Sequence, residues 1–234
     1  MSMPVGFERC LTFINCQAQT VGKAAAKAEC KHAVTISRQC GCSAHTVAEK
    51  AAAWLQEHSP KDAPPWTIFD RNLMERVLTD HQLPERLARF TPEDRVLEIE
   101  DILNELFSLR PASWTMVEKT AETILHLAGL GNVILLGRGA NIVTAKLPGV
   151  VHVRLVGSLE NRAASVQQGE GLDRKAALEF IRQHDLGRKR YVKKYFRQDI
   201  DDPLLYSLVI NTDHVSPAAA AQVIGELVLA EKPG

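Results

Sequence analysis

ISRQCGCSAHTVAEK, residues 36–50, decides how the chain is read. It follows the apolar run Ala33-Val34-Thr35-Ile36 and leads into a stretch of helical character, Thr46 to Gln56. A short apolar run, a polar turn of small residues and then a helix is the form a phosphate-binding loop takes in an α/β protein. Such loops are usually glycine-rich and end Gly-Lys-Ser/Thr. This one has a single glycine, Gly41, and no lysine in the turn. The residues leave two readings open: an unusual phosphate loop, or a plain strand-to-helix turn.

Composition narrows the partners. Lys plus Arg and Asp plus Glu both number 28, so no net field favours nucleic acid or an anionic membrane. An anion site must then be a local arginine cluster. At 234 residues with 45% hydrophobic character the chain can bury a core without staples. No apolar run approaches the ~20 residues of a membrane span. The first 30 residues lack the charged–apolar–small order of a signal peptide. The five cysteines, Cys10, Cys16, Cys30, Cys40 and Cys42, form no C-x-x-C pair. An odd count without that spacing predicts neither a disulfide framework nor a zinc site. The eight histidines likewise show no ligand spacing, and no metal-ligating residues are expected. These features predict a reduced, cytoplasmic protein without nucleic-acid or membrane partners; they do not address its oligomeric state.

Strands and helices alternate along the chain. Val34–Ser37, Trp66–Phe69, Val133–Leu136, Val150–Val156 and Leu208–Asn211 read as short, mostly continuous apolar strands, as in a parallel sheet covered on both faces. Helix starts are signalled by Thr91-Pro92-Glu93-Asp94, Ser113, Ser158, Asp173 and Ser216-Pro217. The alternation predicts a doubly wound α/β sheet. Residues 1–31 read as an N-terminal extension and 32–234 as one domain. Within it, 72–129 reads as a helical insertion and 169–198 as a mobile helical element.

In an open parallel sheet, ligands bind beyond the carboxyl ends of the strands. After the first strand come Ser37, Arg38, Gly41, Cys42, Ser43, Ala44, His45 and Thr46, whose small residues let backbone N–H groups approach an anion. Arg38 can supply the charge of the missing lysine. After the second come Asp70 and Arg71, where Asp70 either serves Mg²⁺ or a sugar or caps a helix. After the third come Gly137, Arg138, Gly139 and Asn141; glycines around an arginine can set its guanidinium against a phosphate. A basic stretch follows, including Arg182, Arg188 and Arg190, with Asp185, Arg188, Tyr191 and Tyr195 on one helix face. It is either a solvated helix or a lid that clamps a transferring phosphoryl group, with Arg162 lining the same cleft.

The ordered set VTISRQCG, WTIFDRNLM, VILLGRGAN, VRLVGSLENR, HDLGRKRYVKKYF and DDPLLYSLVINTD, spanning 34–213, resembles the cytidylate kinase-like family of P-loop kinases. The resemblance implies a P-loop NTPase fold with a doubly wound parallel five-stranded sheet of order 2-3-1-4-5, a helical insertion that binds a nucleoside monophosphate, and a helical lid. It implies ATP and Mg²⁺ as cofactors and Mg-ATP-dependent phosphoryl transfer to a small acceptor such as CMP or dCMP. Ser37, Arg38 and Gly41 match the family's loop, and Cys42, Ser43, Ala44, His45 and Thr46 complete the ATP site. Asp70, Arg71, Gly137, Arg138, Gly139 and Asn141 fall on the acceptor side. Arg162, Asp185, Arg188, Arg190, Tyr191 and Tyr195 belong to the lid, and Arg38, Arg138, Arg182 and Arg188 carry the transfer. The loop departs from the family's pattern. Gln39 stands for its glutamate, Cys40 for its aromatic, Cys42-Ser43-Ala44 for Ser-Gly-Gly and His45 for its arginine. That departure keeps a second reading open, a non-catalytic nucleotide-binding module with a degenerate loop.

Overall fold

A computed structural model of the chain describes residues 13, 32–61, 63–70, 73–74, 87, 91, 93–107, 114–137 and 139–230. Five parallel strands lie in the order β2-β3-β1-β4-β5: β1 Ala33–Arg38, β2 Thr67–Phe69, β3 Val133–Leu136, β4 Val150–Val156 and β5 Leu208–Asn211. Strand β1 is central. Its Ser37 lies opposite Arg154 of β4, and its Ile36 opposite Leu136 of β3. The strands and their order match the sequence expectation to within a residue or two at each end.

Alternation along β1 divides the core. Val34 and Ile36 point to one face, where they meet Val47, Ala51 and Leu55 of helix α1 (Ala44–Glu57) and Ala220, Ile224 and Val228 of the C-terminal helix (Pro217–Ala230). The two helices press together so closely that a Cβ on Gly225 would fall 2.0 Å from the Trp54 ring. Ala33 belongs to the opposite core, with Phe69, Leu135 and Val150. That core is closed by α2 (Glu93–Phe107), α3 (Thr115–Leu130), the short α4 (Ala140–Val143) and Phe196. Phe13, the one described residue of the 1–31 extension, is fully buried there, edge-on to Phe69 at 5.9 Å. Helix α2 and all but the last residue of α3 fall within the expected 72–129 insertion, whose other residues lie largely outside those described.

Three caps follow the sequence reading, among them Ser216, which accepts from Ala219 N–H at 3.2 Å before the C-terminal helix. Ser158 accepts from Asn161 N–H at the start of α5 (Leu159–Glu170), and Asp173 from Ala176 N–H at the start of α6 (Arg174–Phe196). Thr91 does not cap. It is buried, and its hydroxyl lies 3.0 Å from the Leu87 carbonyl and 2.8 Å from His126 Nδ1. Ser113 is outside the described residues. The C-terminal helix, α7, begins at Pro217, as read. Among the described residues no helix is long and apolar enough to cross a membrane.

Helix α6 crosses over the carboxyl ends of the strands. Its inward stripe runs Ala177, Ile181, Asp185, Arg188, Val192, Phe196, with steps of three or four residues. Ala177 and Ile181 pack with Cys40 and Ala163, and Phe196 packs in the core under the insertion. The middle of the stripe is ionic, and it lies over the loop that follows β1.

Candidate active site

The turn after β1 is shaped for close backbone approach. Gly41 has φ +90° and Ser43 φ +46°, both left-handed. Ser43 occupies the N-cap of α1, but its side chain makes no capping bond. Among the described residues, the N–H groups of Gly41, Ser43, Ala44, His45 and Thr46 meet no acceptor. Donors of this kind at a helix start attract phosphate.

The first half of the loop is firmly held. Gln39 N–H donates to the Leu155 carbonyl at 3.0 Å, and its side-chain oxygen accepts from Gly157 N–H at 3.1 Å. The Arg162 guanidinium reaches Gly157 O at 3.0 Å, Cys40 O at 3.1 Å and Asp185 Oδ2 at 2.7 Å. Asp185 Oδ1 accepts from Cys40 N–H at 2.7 Å and from Arg188 Nη1 at 3.1 Å. One carboxylate of α6 therefore joins the loop to two arginines. Gly41 is required where the loop passes α5, since a Cβ there would sit 2.5 Å from the Arg162 carbonyl oxygen. Both loop cysteines are buried, and burial pushes their thiols above the usual range, so neither is a ready nucleophile.

Two cavities flank this knot. The smaller, about 390 Å³, is lined by the loop from Arg38 to His45 with Asp70, His184 and Arg188. The larger, about 480 Å³, lies between the strand ends and the underside of α6, with Thr35, Ser37, Gly139, Asn141, Gln183 and Tyr191 in its wall. Arg38, Leu136, His184 and Arg188 border both. The Arg38 guanidinium lies across Gly137, where φ is +80° and a Cβ would come within 2.3 Å of Nη1.

The sequence-predicted residues divide accordingly. The whole loop set except Thr46, with Asp70, Gly137, Gly139, Asn141, Arg188 and Tyr191, lines one cavity or the other. Thr46 is exposed in the first turn of α1. Arg162 and Asp185 form the clamp behind the loop rather than a cavity wall. Asp70 also caps, accepting from Leu73 N–H at 2.8 Å. Arg182 stands apart: it pairs with Glu179 at 2.7 Å, is 65% exposed and lines neither cavity. Arg190 is exposed and also lines neither. Tyr195 packs edge-on against Trp114 at 4.8 Å. Arg71 and Arg138 lie outside the described residues.

Sequence reading missed Arg154, which is 4% exposed inside β4. Its Nη1 donates to Ser37 Oγ at 2.8 Å and its Nη2 to Asp201 Oδ1 at 2.9 Å. A signal was there. His152 and Arg154 are two positions apart, so they share one face of a strand otherwise apolar.

Mg²⁺ favours one or two carboxylates together with substrate phosphates. Asp70 lines the loop cavity and has one carboxylate oxygen bonded to no described residue; Thr46 has a hydroxyl in the first turn of α1. The Asp70 carboxylate, joined by substrate phosphates, fits a phosphate-bound Mg²⁺. Among the described residues no group of three acidic, histidine or cysteine side chains could hold a metal alone.

The sequence pattern described as the cytidylate kinase-like family matches residues 33–214. No match was found among curated proteins. Among solved structures, an uncharacterized protein from Eubacterium ventriosum superposes with TM-score 0.65 at 20% identity, over 86% of this chain and 99% of that one. Shikimate kinase from Bacteroides thetaiotaomicron gives TM-score 0.44 at 14% identity, over 85% and 98%.

Proposed function

The chain belongs to the cytidylate kinase-like family, whose pattern covers its residues 33–214, and on that premise we propose that it transfers the γ-phosphoryl group of Mg-ATP to a small acceptor, a nucleoside monophosphate such as CMP or dCMP. The observation that carries this reading is the shared border of the two cavities at Arg38 and Arg188. Two ligand chambers meeting at two guanidinium groups suit a reaction whose catalysis is mainly positioning and charge neutralisation.

In this reading the amides of Gly41, Ser43, Ala44, His45 and Thr46 hold the ATP phosphates. Asp70 and the Thr46 hydroxyl would hold the Mg²⁺, which would neutralise phosphate charge. The acceptor occupies the larger cavity, with Asn141, Gly139 and Tyr191 in its wall and Arg138 gripping its phosphate. An acceptor phosphate oxygen bonds to the γ-phosphorus as the bond to the β–γ bridging oxygen breaks, and ADP leaves. Arg38 and Arg188 lie at the seam where the transferring group carries its charge. Arg162 and Asp185 keep the loop and the lid helix aligned, and closure of α6 excludes water.

A second reading is favoured by one observation. The loop has no lysine, and its Cys40 N–H already serves Asp185. A binding module without turnover would look like this. ADP release from Mg-ATP, with CMP, dCMP, UMP, AMP, GMP and the nucleosides as acceptors, separates the two. Acceptor-dependent ADP is expected. Nucleotide binding to the folded protein, with no stimulation by any of these acceptors, would overturn the kinase reading in favour of the module.

A further inference from the structure

A buried arginine is costly unless its charge is matched, and Arg154 is placed with care. It sits directly across from Ser37 in the β1–β4 ladder. Its fork spends one nitrogen on Ser37 Oγ and another on Asp201, and its guanidinium lies 5.9 Å from the Tyr206 ring centroid. Asp201 in turn accepts from Lys189 Nζ of α6 at 3.1 Å. The Tyr206 hydroxyl donates to the Ile200 carbonyl at 2.8 Å and lies 3.4 Å from Ser37 Oγ.

This arrangement has a consequence for Ser37. Its oxygen is an acceptor from Arg154, so its own proton must point elsewhere. Among the described residues the acceptor within its reach is the Tyr206 hydroxyl oxygen, at a long 3.4 Å, and Ser37 borders the larger cavity, where a phosphate oxygen would offer it a shorter bond. Arginine cannot accept a hydrogen bond, so the polarity of this contact cannot reverse.

We propose that Arg154 is a positioning residue: it holds the Ser37 hydroxyl as a donor to a phosphate oxygen of the acceptor, and couples that donor to the lid helix through Asp201 and Lys189. The phosphate assignment rests on the reading of the larger cavity as the acceptor chamber. The coupling of Lys189 to the loop does not. Arg154 touches no ligand in this scheme and acts through Ser37.

The test uses the full chain and five variants: Ser37→Ala, Arg154→Gln, their double variant, Arg154→Lys and Lys189→Met. With the best acceptor of the nucleotide panel, Ser37→Ala and Arg154→Gln should each raise acceptor KM on the order of tenfold, the size of one charge-assisted hydrogen bond. The KM for Mg-ATP should stay within about twofold. The double variant should be no worse than the poorer single one, because both remove the same donor. Arg154→Lys should recover part of the loss, since an ammonium keeps the charge but not the fork. Additive losses, or equal rises in both KM values, would overturn the donor role. Hydrogen exchange gives a second readout free of any reaction. Lys189 is exposed and touches no loop residue, yet Lys189→Met should speed exchange at amides 37–41 several-fold. Unchanged exchange there overturns the coupling. If no acceptor turns over or binds, the acceptor reading fails and the donor role falls with it, while the exchange result still decides the link from Lys189 to the loop. Melting curves confirm that each variant is folded.

Discussion

Asp185 and Cys40 are 145 residues apart in sequence, and the carboxylate of one accepts the backbone N–H of the other at 2.7 Å. The same carboxylate pairs with Arg162 at 2.7 Å and Arg188 at 3.1 Å. An acidic group stands in the middle of a helix stripe that is apolar at both ends, and its position holds α6 over the loop. Replacing it leaves two guanidinium groups facing each other without their shared partner. Asp185→Asn should therefore destabilise the fold by about 1–3 kcal/mol, with partial exposure of the site holding the loss below that of a fully buried pair. It should also slow turnover. Urea unfolding read beside ADP release checks both, and wild-type values in both would remove the clamp.

Two arginines on one helix should behave differently. Arg188 lies at the border of both cavities, whereas Arg182 is ion-paired with Glu179 on the exposed side. Arg188→Ala should lower kcat on the order of a hundredfold or more, as expected for a lost transition-state charge contact, with little change in Mg-ATP binding. Arg182→Ala should stay within about twofold of wild type, because exposed pairs contribute little. Steady-state kinetics with calorimetric Mg-ATP titration distinguishes the two. Equal turnover in wild type and Arg188→Ala would sink the lid role.

The fold was largely legible because continuous apolar runs and capping residues report backbone form directly. Val133–Leu136, Val150–Val156 and Leu208–Asn211 are strands with the bounds read from sequence alone. The candidate site was legible where a turn is local, as in the loop after β1 and at Gly137 and Gly139, which border the larger cavity. It was not legible where a partner comes from far along the chain. Arg162 reads as a cleft arginine until Cys40, Gly157 and Asp185 are seen to occupy its guanidinium. Gln39 reads as a lost charge until its amide oxygen is seen to hold Gly157 N–H. The ionic centre of the stripe from Ala177 to Phe196 was visible as a pattern, but the object beneath it was not.

Gly41 tests the loop itself. Its φ of +90° is one that L-residues rarely adopt, and the Arg162 carbonyl lies 2.5 Å from where a Cβ would stand. Gly41→Ala must move the loop away from α5, because backbone cannot yield as a side-chain tip can. A cost of about 1–3 kcal/mol is expected, with loss of the thermal shift that Mg-ATP gives the wild type. Gly169→Ala is the control, because a Cβ there meets nothing within 4 Å. An undiminished Mg-ATP shift in Gly41→Ala would mean that nucleotide does not use this turn.

His152 gives the pH dependence. It is half-buried beside Thr35, whose hydroxyl lies 2.9 Å from Nδ1, and desolvation lowers its pKa from 6.5 to about 4. The folded state therefore prefers the neutral ring, and the unfolded chain binds the proton first. Above pH 6.5 both states are neutral and His152 adds no slope. As pH falls from 6.5 towards 4, the unfolded state gains a proton that the folded state refuses, and stability is lost by up to about 3 kcal/mol. His126, also lowered by burial, acts in the same direction. His152→Gln removes the titration and keeps a polar side chain beside Thr35. Its stability should fall less steeply between pH 6.5 and 4.5 than that of the wild type, while carboxylates common to both proteins cancel in the difference. Urea midpoints at half-unit pH steps give the comparison, and parallel curves would show that His152 takes up its proton in the folded state as readily as in the unfolded one.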